Sequence, residues 1–279
     1  MKIRALQTDE STGQPLPAVW NTRPGVRWRL ADAGWLRWAL RADRALAADL
    51  AGVNHVELLK RTDRRLVFRL TSRDHRSSVV VKCFRMVHLR QRVFYHGRYA
   101  RTEASNLLEA ARLGLPVPKV YGWCRRSRLG LVSYSALMTE DLSPRRTAGR
   151  LLAQAEGDRG RQDAILDASL GVFLALHRVG CNHIDLNPES ILLREDLSDT
   201  RVVDFHYARF LGRPSPTALM CQASRFVVSC PKMVSRSLFD EWAQKLIVAA
   251  GLDDPPHWLG VYREFIGAGL TRRQRLRLR

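Results

Sequence analysis

The alternation of apolar and polar positions changes character along this chain, and the change divides it. Runs at 56–60, 66–71 and 78–84 are rich in β-branched or apolar residues and bounded by turn material such as Thr62-Asp63-Arg64-Arg65. An antiparallel meander is the economical arrangement. A helix follows over about 99–113, ended by Gly114 and the extended Leu115-Pro116-Val117-Pro118. Runs at 120–123 and 131–138 complete an antiparallel five-stranded sheet carrying one helix. Thr139-Glu140-Asp141-Leu142 then reads as a hinge whose backbone suits an adenine edge.

Beyond residue 141 the period becomes helical. Residues 162–179 place Leu166, Leu170, Phe173 and His177 on one face, and His177 reads as a satisfied core histidine. Short strands are expected at 191–193 and 201–203, and helices at 235–250 and 257–267. Before the sheet, residues 1–24 carry Pro15, Pro17 and Pro24 with little periodicity and read as a loosely packed arm. Over 35–50, Trp35, Ala39, Ala42, Leu46 and Leu50 fall on one side of a helix and Arg37, Arg41 and Arg44 on the other. Such a helix suits a membrane interface, but Asp43 and Asp49 favour packing against the next domain. The expected organisation is therefore an arm with an amphipathic helix (1–50), a sheet domain (51–141), and a compact, mainly helical domain with a basic tail (142–279).

Composition narrows the class. A 46% hydrophobic fraction in 279 residues supports a globular core. No apolar run reaches the roughly 18 residues of a spanning helix, and the start lacks a signal peptide's apolar segment. Five cysteines without CxxC spacing suggest neither a disulfide framework nor a zinc site, so a reducing cytoplasm is expected. Charge changes the picture most. Forty-six Lys plus Arg against 27 Asp plus Glu give +19, most of it arginine. Such a surface attracts polyanions, and the arginine fork bonds carboxylate or phosphate through two oxygens. Nucleic acid is not the expected partner, since no interleaved aromatic RNA motif and no helix-turn-helix is present. Nothing in the chain signals an oligomeric state.

The chemistry concentrates in residues 183–193, His-Ile-Asp-Leu-Asn-Pro-Glu-Ser-Ile-Leu-Leu, where Asp185 sits between a histidine and an apolar run. Val-Val-Asp-Phe-His supplies a second carboxylate, Asp204, a few residues on. Upstream, Val79-Val80-Val81-Lys82 ends a strand on a lysine, and Glu103 is the first choice for its partner, with Glu109 the alternative.

In order and spacing, Lys82, Glu103, the hinge at Glu140, the 183–193 loop and Asp204 resemble the protein-kinase-like fold. Within that fold the chain most resembles the lipopolysaccharide core kinases of Gram-negative bacteria. The likeness is carried by Leu58-Leu59-Lys60-Arg61, Arg98-Tyr-Ala-Arg-Thr-Glu103, Gly114-Leu-Pro-Val-Pro-Lys-Val120 and the Asp185-Leu-Asn-Pro loop. It covers about residues 50–240. These enzymes phosphorylate 3-deoxy-D-manno-octulosonic acid (Kdo) or heptose in the inner core. The resemblance implies a bilobal α+β enzyme using ATP and Mg2+, working as a peripheral protein on the cytoplasmic side of the inner membrane. It implies Asp185 as the catalytic base, Asp204 and Ser190 as metal ligands, and Lys82, steadied by Glu103, on the nucleotide phosphates. Glu140 and Leu142 would meet the adenine and Asn187 the transferring phosphate. Arginines between 85 and 101 would grip Kdo carboxylates or lipid A phosphates, and the C-terminal arginines an anionic membrane surface.

Departures from the kinase pattern support a different reading. Ser190 replaces the loop asparagine, His206 replaces the glycine of Asp-Phe-Gly, and Thr62–Arg65 has no glycine for phosphate. A weakened pseudokinase or nucleotide-binding regulator is the alternative function. An aminoglycoside- or choline-type phosphotransferase shares the same loop. No Ala-Pro-Glu follows Asp204, which favours a small or glycolipid acceptor over a protein.

Overall fold

The computed structural model describes residues 20–23, 26–30, 56–62, 65–71, 78–85, 93, 98–128, 131–230 and 234–278. The expected helix at 35–50, the first 19 residues and most of the basic stretch at 85–101 lie outside them. Two compact units emerge: Met1–Leu108 with Lys119–Asp141, and Glu109–Pro118 with Leu142–Arg279.

The first unit is built on β1 (Trp20–Arg23), β2 (Val26–Leu30), β3 (Val56–Arg61), β4 (Arg65–Thr71), β5 (Ser78–Arg85), β6 (Val120–Arg128) and β7 (Leu131–Glu140). They form one sheet in the order β1-β2-β6-β7-β5-β4-β3, every pair antiparallel. All five expected strands are present. The hairpin β1–β2 extends the sheet to seven and corrects the loose-arm reading for residues 20–23. Its signal was legible, because Val26-Arg-Trp-Arg-Leu30 alternates apolar and basic residues with the period of a strand. Prolines at 15, 17 and 24 obscured it.

Alternation along β5 decides where the chemistry lies. Val79, Val81 and Cys83 join Phe68, Leu70, Cys124 and Met138 in one buried cluster. Successive strand residues face opposite sides, so Lys82 and Phe84 share the other face. The helix α1 (Arg98–Arg112) supplies their partners: Tyr99 stacks on Phe84 with centroids 5.8 Å apart, and Glu103 bonds Lys82. Residues i and i+4 of a helix thereby meet residues i and i+2 of a strand, which sets the register between the two elements.

The second unit contains α2 (Ala148–Gln154), α3 (Arg159–Arg178), α4 (Pro216–Val228), α5 (Arg236–Ala249), α6 (Pro255–Ala268) and α7 (Arg272–Arg275). Phe173 of α3, Phe226 of α4 and Trp242 of α5 form its aromatic core, with centroids 5.1–5.5 Å apart. The buried Trp242 indole donates to Leu166 O at 2.9 Å, so its one polar atom is satisfied. Helix α4 was not anticipated, although Ser215 caps it and Pro216 opens it. Short strands β8 (Arg146–Thr147), β9 (Cys181–Asn182), β10 (Ile191–Leu193), β11 (Thr200–Val202) and β12 (Arg209–Phe210) form two small sheets, β11-β10-β8 and β12-β9. These ladders carry the loop from 183 to 190. No helix among the described residues is long and apolar enough to cross a membrane.

Candidate active site

Lys82 Nζ lies 2.7 Å from Glu103 Oε1, with side chains 11% and 3% exposed. Of the two glutamates considered for Lys82, Glu103 is therefore the partner. Glu109 instead bonds Arg112 through both oxygens, which holds its carboxyl below the usual range.

The loop begins at a close approach. Gly180 has φ +64°, and a Cβ there would sit 2.4 Å from Arg213 O, so only glycine fits. From β9 the chain enters His183, whose Nε2 lies 2.9 Å from Val203 O, immediately before Asp204. The ring also meets Phe205 edge-on at 4.8 Å. His183 thus ties the segment bearing one carboxylate to the segment bearing the other. Gln222 of α4 clamps the same region, accepting from His183 N at 3.3 Å and donating to Cys181 O at 3.3 Å. Across the ladder Ile191 pairs with Val202, and Ser190 O accepts from Val203 N at 2.9 Å.

Burial pushes the His183 pKa below its ordinary 6.5. Below 6.5 the unfolded chain binds a proton that the folded chain still refuses, so stability falls as pH falls. The half-buried His177 is shifted the same way, again by burial, and adds to the effect. Urea titrations between about pH 7 and about pH 5 should show the midpoint dropping with acid, and His183→Asn should flatten that slope. An unchanged slope in the variant would remove His183 as its source.

Asp185 stands at the turn of the loop with its side chain 21% exposed. Its carboxylate meets Arg272, Nη2 to Oδ2 at 2.8 Å and Nε to Oδ1 at 3.3 Å, and Arg275, Nη2 to Oδ1 at 3.2 Å. Asp204 takes a left-handed conformation, φ 69°, which aspartate tolerates better than most residues. His206 lies in a 3-10 turn over Phe205–Tyr207, so the backbone does not require the glycine missing from this triplet.

A family model described as the lipopolysaccharide kinase (Kdo/WaaP) family matches residues 71–213, which is 143 of 279 residues and just over half the chain. The chain belongs to this lipopolysaccharide kinase family. It is a phosphotransferase of lipopolysaccharide biosynthesis. Among solved structures it is similar to "WaaP in complex with acyl carrier protein", at 17% identity and a TM-score of 0.58, covering 88% of this chain and 100% of that one. That likeness carries the protein-kinase-like fold. No curated protein matches the chain.

Within this lipopolysaccharide kinase, several expected contacts are already committed to protein partners. The Glu140 amide donates to Lys119 O at 2.8 Å, and its carboxylate accepts from Lys119 N at 3.1 Å. Leu142 is buried and its carbonyl accepts from Arg145 N at 3.1 Å and Arg145 Nη1 at 3.2 Å. Asn187, expected on the phosphate, is a clasp of the loop: Nδ2 donates to Asp185 O at 2.7 Å and Oδ1 accepts from Glu189 N at 2.9 Å. A short polar side chain before a helical turn satisfies nearby backbone first.

Ser190 is fully buried, and its hydroxyl has no hydrogen-bond partner among the described residues. An orphaned buried oxygen one step along the ladder from Asp204 fits a metal ligand. The pair offers oxygen donors only, suiting Mg2+, which takes one or two carboxylates and completes its shell with water and phosphate. No cluster of three or more His, Cys, Asp or Glu able to hold a metal occurs among the described residues.

Sequence reasoning missed Arg272, Arg275 and Gln222 in this family member. Two arginines of the basic tail, Arg272 and Arg275, reach Asp185. A signal existed: residues 183–193 contain no lysine or arginine of their own.

Proposed function

We propose that this kinase transfers the γ-phosphate of ATP to a hydroxyl of Kdo or heptose in the lipopolysaccharide inner core, as a peripheral protein at the cytoplasmic face of the inner membrane. The observation that carries an active enzyme over an inert relative is the buried Lys82–Glu103 pair at 2.7 Å. Kinase activity requires such a pair in place. A lone lysine at that depth would be costly, so Glu103 offsets its burial and holds the side chain in place.

Asp185 orients the acceptor hydroxyl and takes its proton. His183 holds the Asp204 segment in register, and the rigid loop limits the motion either carboxylate must undergo, which is the form positioning catalysis takes. Asp204 and Ser190 would hold Mg2+, which when bound neutralises phosphate charge. Exposed arginines, and Leu58 and Leu59, 47% and 41% exposed beside Lys60 and Arg61, are surface features that suit an anionic, amphipathic substrate.

Incubation with labelled ATP, Mg2+ and dephosphorylated core lipopolysaccharide, followed by mass analysis, should place one phosphate on an inner-core sugar. Magnesium-dependent ATP binding without transfer to any inner-core acceptor would support the pseudokinase instead.

A further inference from the structure

The catalytic loop is deficient in positive charge. Between His183 and Leu193 it carries Asp185 and Glu189 and no cation. Phosphoryl transfer spreads negative charge over three oxygens as the bond breaks, and stabilising that charge is most of the catalytic task. The deficit is made up from a segment 87 and 90 residues downstream, by Arg272 and Arg275.

The two arginines are held differently. Arg275 is 11% exposed and bonds Ile184 O at 3.1 Å and Leu270 O, while its own carbonyl accepts from Asn182 Nδ2 at 3.3 Å. It is a fixture of the loop. Arg272 is 50% exposed, rests over the Tyr207 ring at 4.2 Å, and has Asp185 as its polar partner. Stacking leaves a guanidinium free to exchange one anion for another while its plane stays supported.

Lone-pair geometry then locates the substrate. A carboxylate offers about four acceptor sites. Arg272 occupies one on each oxygen and Arg275 a second on Oδ1, so among the described residues the open site is on Oδ2, beside Arg272 Nη2. A hydroxyl bonded there, about 2.7 Å from Oδ2, has its attacked phosphorus about 3–3.5 Å further on, within reach of the same guanidinium.

We propose that Arg272 is a catalytic cation of this enzyme: it holds Asp185 between turnovers and binds an oxyanion as the hydroxyl attacks. The proposal rests on the kinase reading above. In the step, the acceptor oxygen forms a bond to the γ-phosphorus and its proton passes to Asp185 Oδ2. The bond from the γ-phosphorus to its bridging oxygen breaks, and ADP departs with that electron pair. The oxyanion comes either from the transferring phosphoryl group or from an acid group on the acceptor.

The test compares wild type, Asp185→Asn, Arg272→Gln and Arg272→Lys, all full chain, in labelled-phosphate transfer to dephosphorylated core lipopolysaccharide. Arg272→Gln should lower kcat/KM about a hundredfold, with Arg272→Lys recovering about tenfold of that loss. A fall in kcat at unchanged acceptor KM assigns the oxyanion to the phosphoryl group; a raised acceptor KM assigns it to the acceptor. Arg272→Gln within about threefold of wild type overturns the inference, since removing one such charge donor costs far more. Equal losses in both Arg272 variants with a lowered melting temperature also overturn it, because the role is then structural. If wild type transfers no more than Asp185→Asn, the kinase reading falls and takes this one with it. Active wild type, inactive Asp185→Asn and unaffected Arg272→Gln sink the Arg272 role alone.

Discussion

Asp185→Asn should lower phosphate transfer about a thousandfold while leaving the chain folded and nucleotide affinity nearly intact. Asparagine keeps the shape of the side chain and its one carbonyl oxygen can still accept from Arg275, but its NH2 cannot accept from Arg272 Nη2 and the side chain cannot take the hydroxyl proton. The structural cost is small, for reasons the surroundings make specific. Arg275 keeps its bonds to the Ile184 and Leu270 carbonyls, and the half-exposed Arg272 rehydrates. An exposed ion pair of that kind contributes about 1 kcal/mol or less. Initial rates with labelled ATP, ATP affinity by calorimetry and a melting curve separate the effects. A variant that transfers at the wild-type rate would remove Asp185 from the mechanism.

Lys82→Met should be damaging in two separable ways. It leaves Glu103, 3% exposed, as a buried carboxylate without its lysine, and breaking such a pair costs about 3–5 kcal/mol. It also removes the cation proposed to steady the nucleotide phosphates. The double variant Lys82→Met/Glu103→Leu separates them, because replacing both charges with apolar groups of similar volume is close to neutral for stability. We expect its urea midpoint to recover most of the single variant's loss while transfer stays about a hundredfold or more below wild type. Recovery of both stability and transfer would show Lys82 to be only a structural partner.

Much of the fold was readable because its signals are local. Each expected strand of the sheet was a short run between turn residues, and the helix at 98–112 is closed by Gly114 and the prolines after it. The loop was readable for the same reason, since His183, Asp185 and Ser190 lie within eight consecutive residues. The hairpin at 20–30 was missed where prolines outweighed a clear alternation. The helix at 216–228 was missed although serine, proline and an apolar run announced it.

The sequence by itself determined the order of the chemical groups, a strand lysine, a helix glutamate and two carboxylates flanking a short ladder, because each is carried by its own neighbours. Only the tertiary structure decided which glutamate meets Lys82, because helical phase puts Glu103 and Glu109 at different angles and packing chooses between them. It alone turned Asn187 inward to clasp its loop. It alone brought Arg272 and Arg275 onto Asp185, because a contact across some 90 residues depends on how the intervening helices pack. Local composition could state the charge of that tail but had no means of stating where it lands.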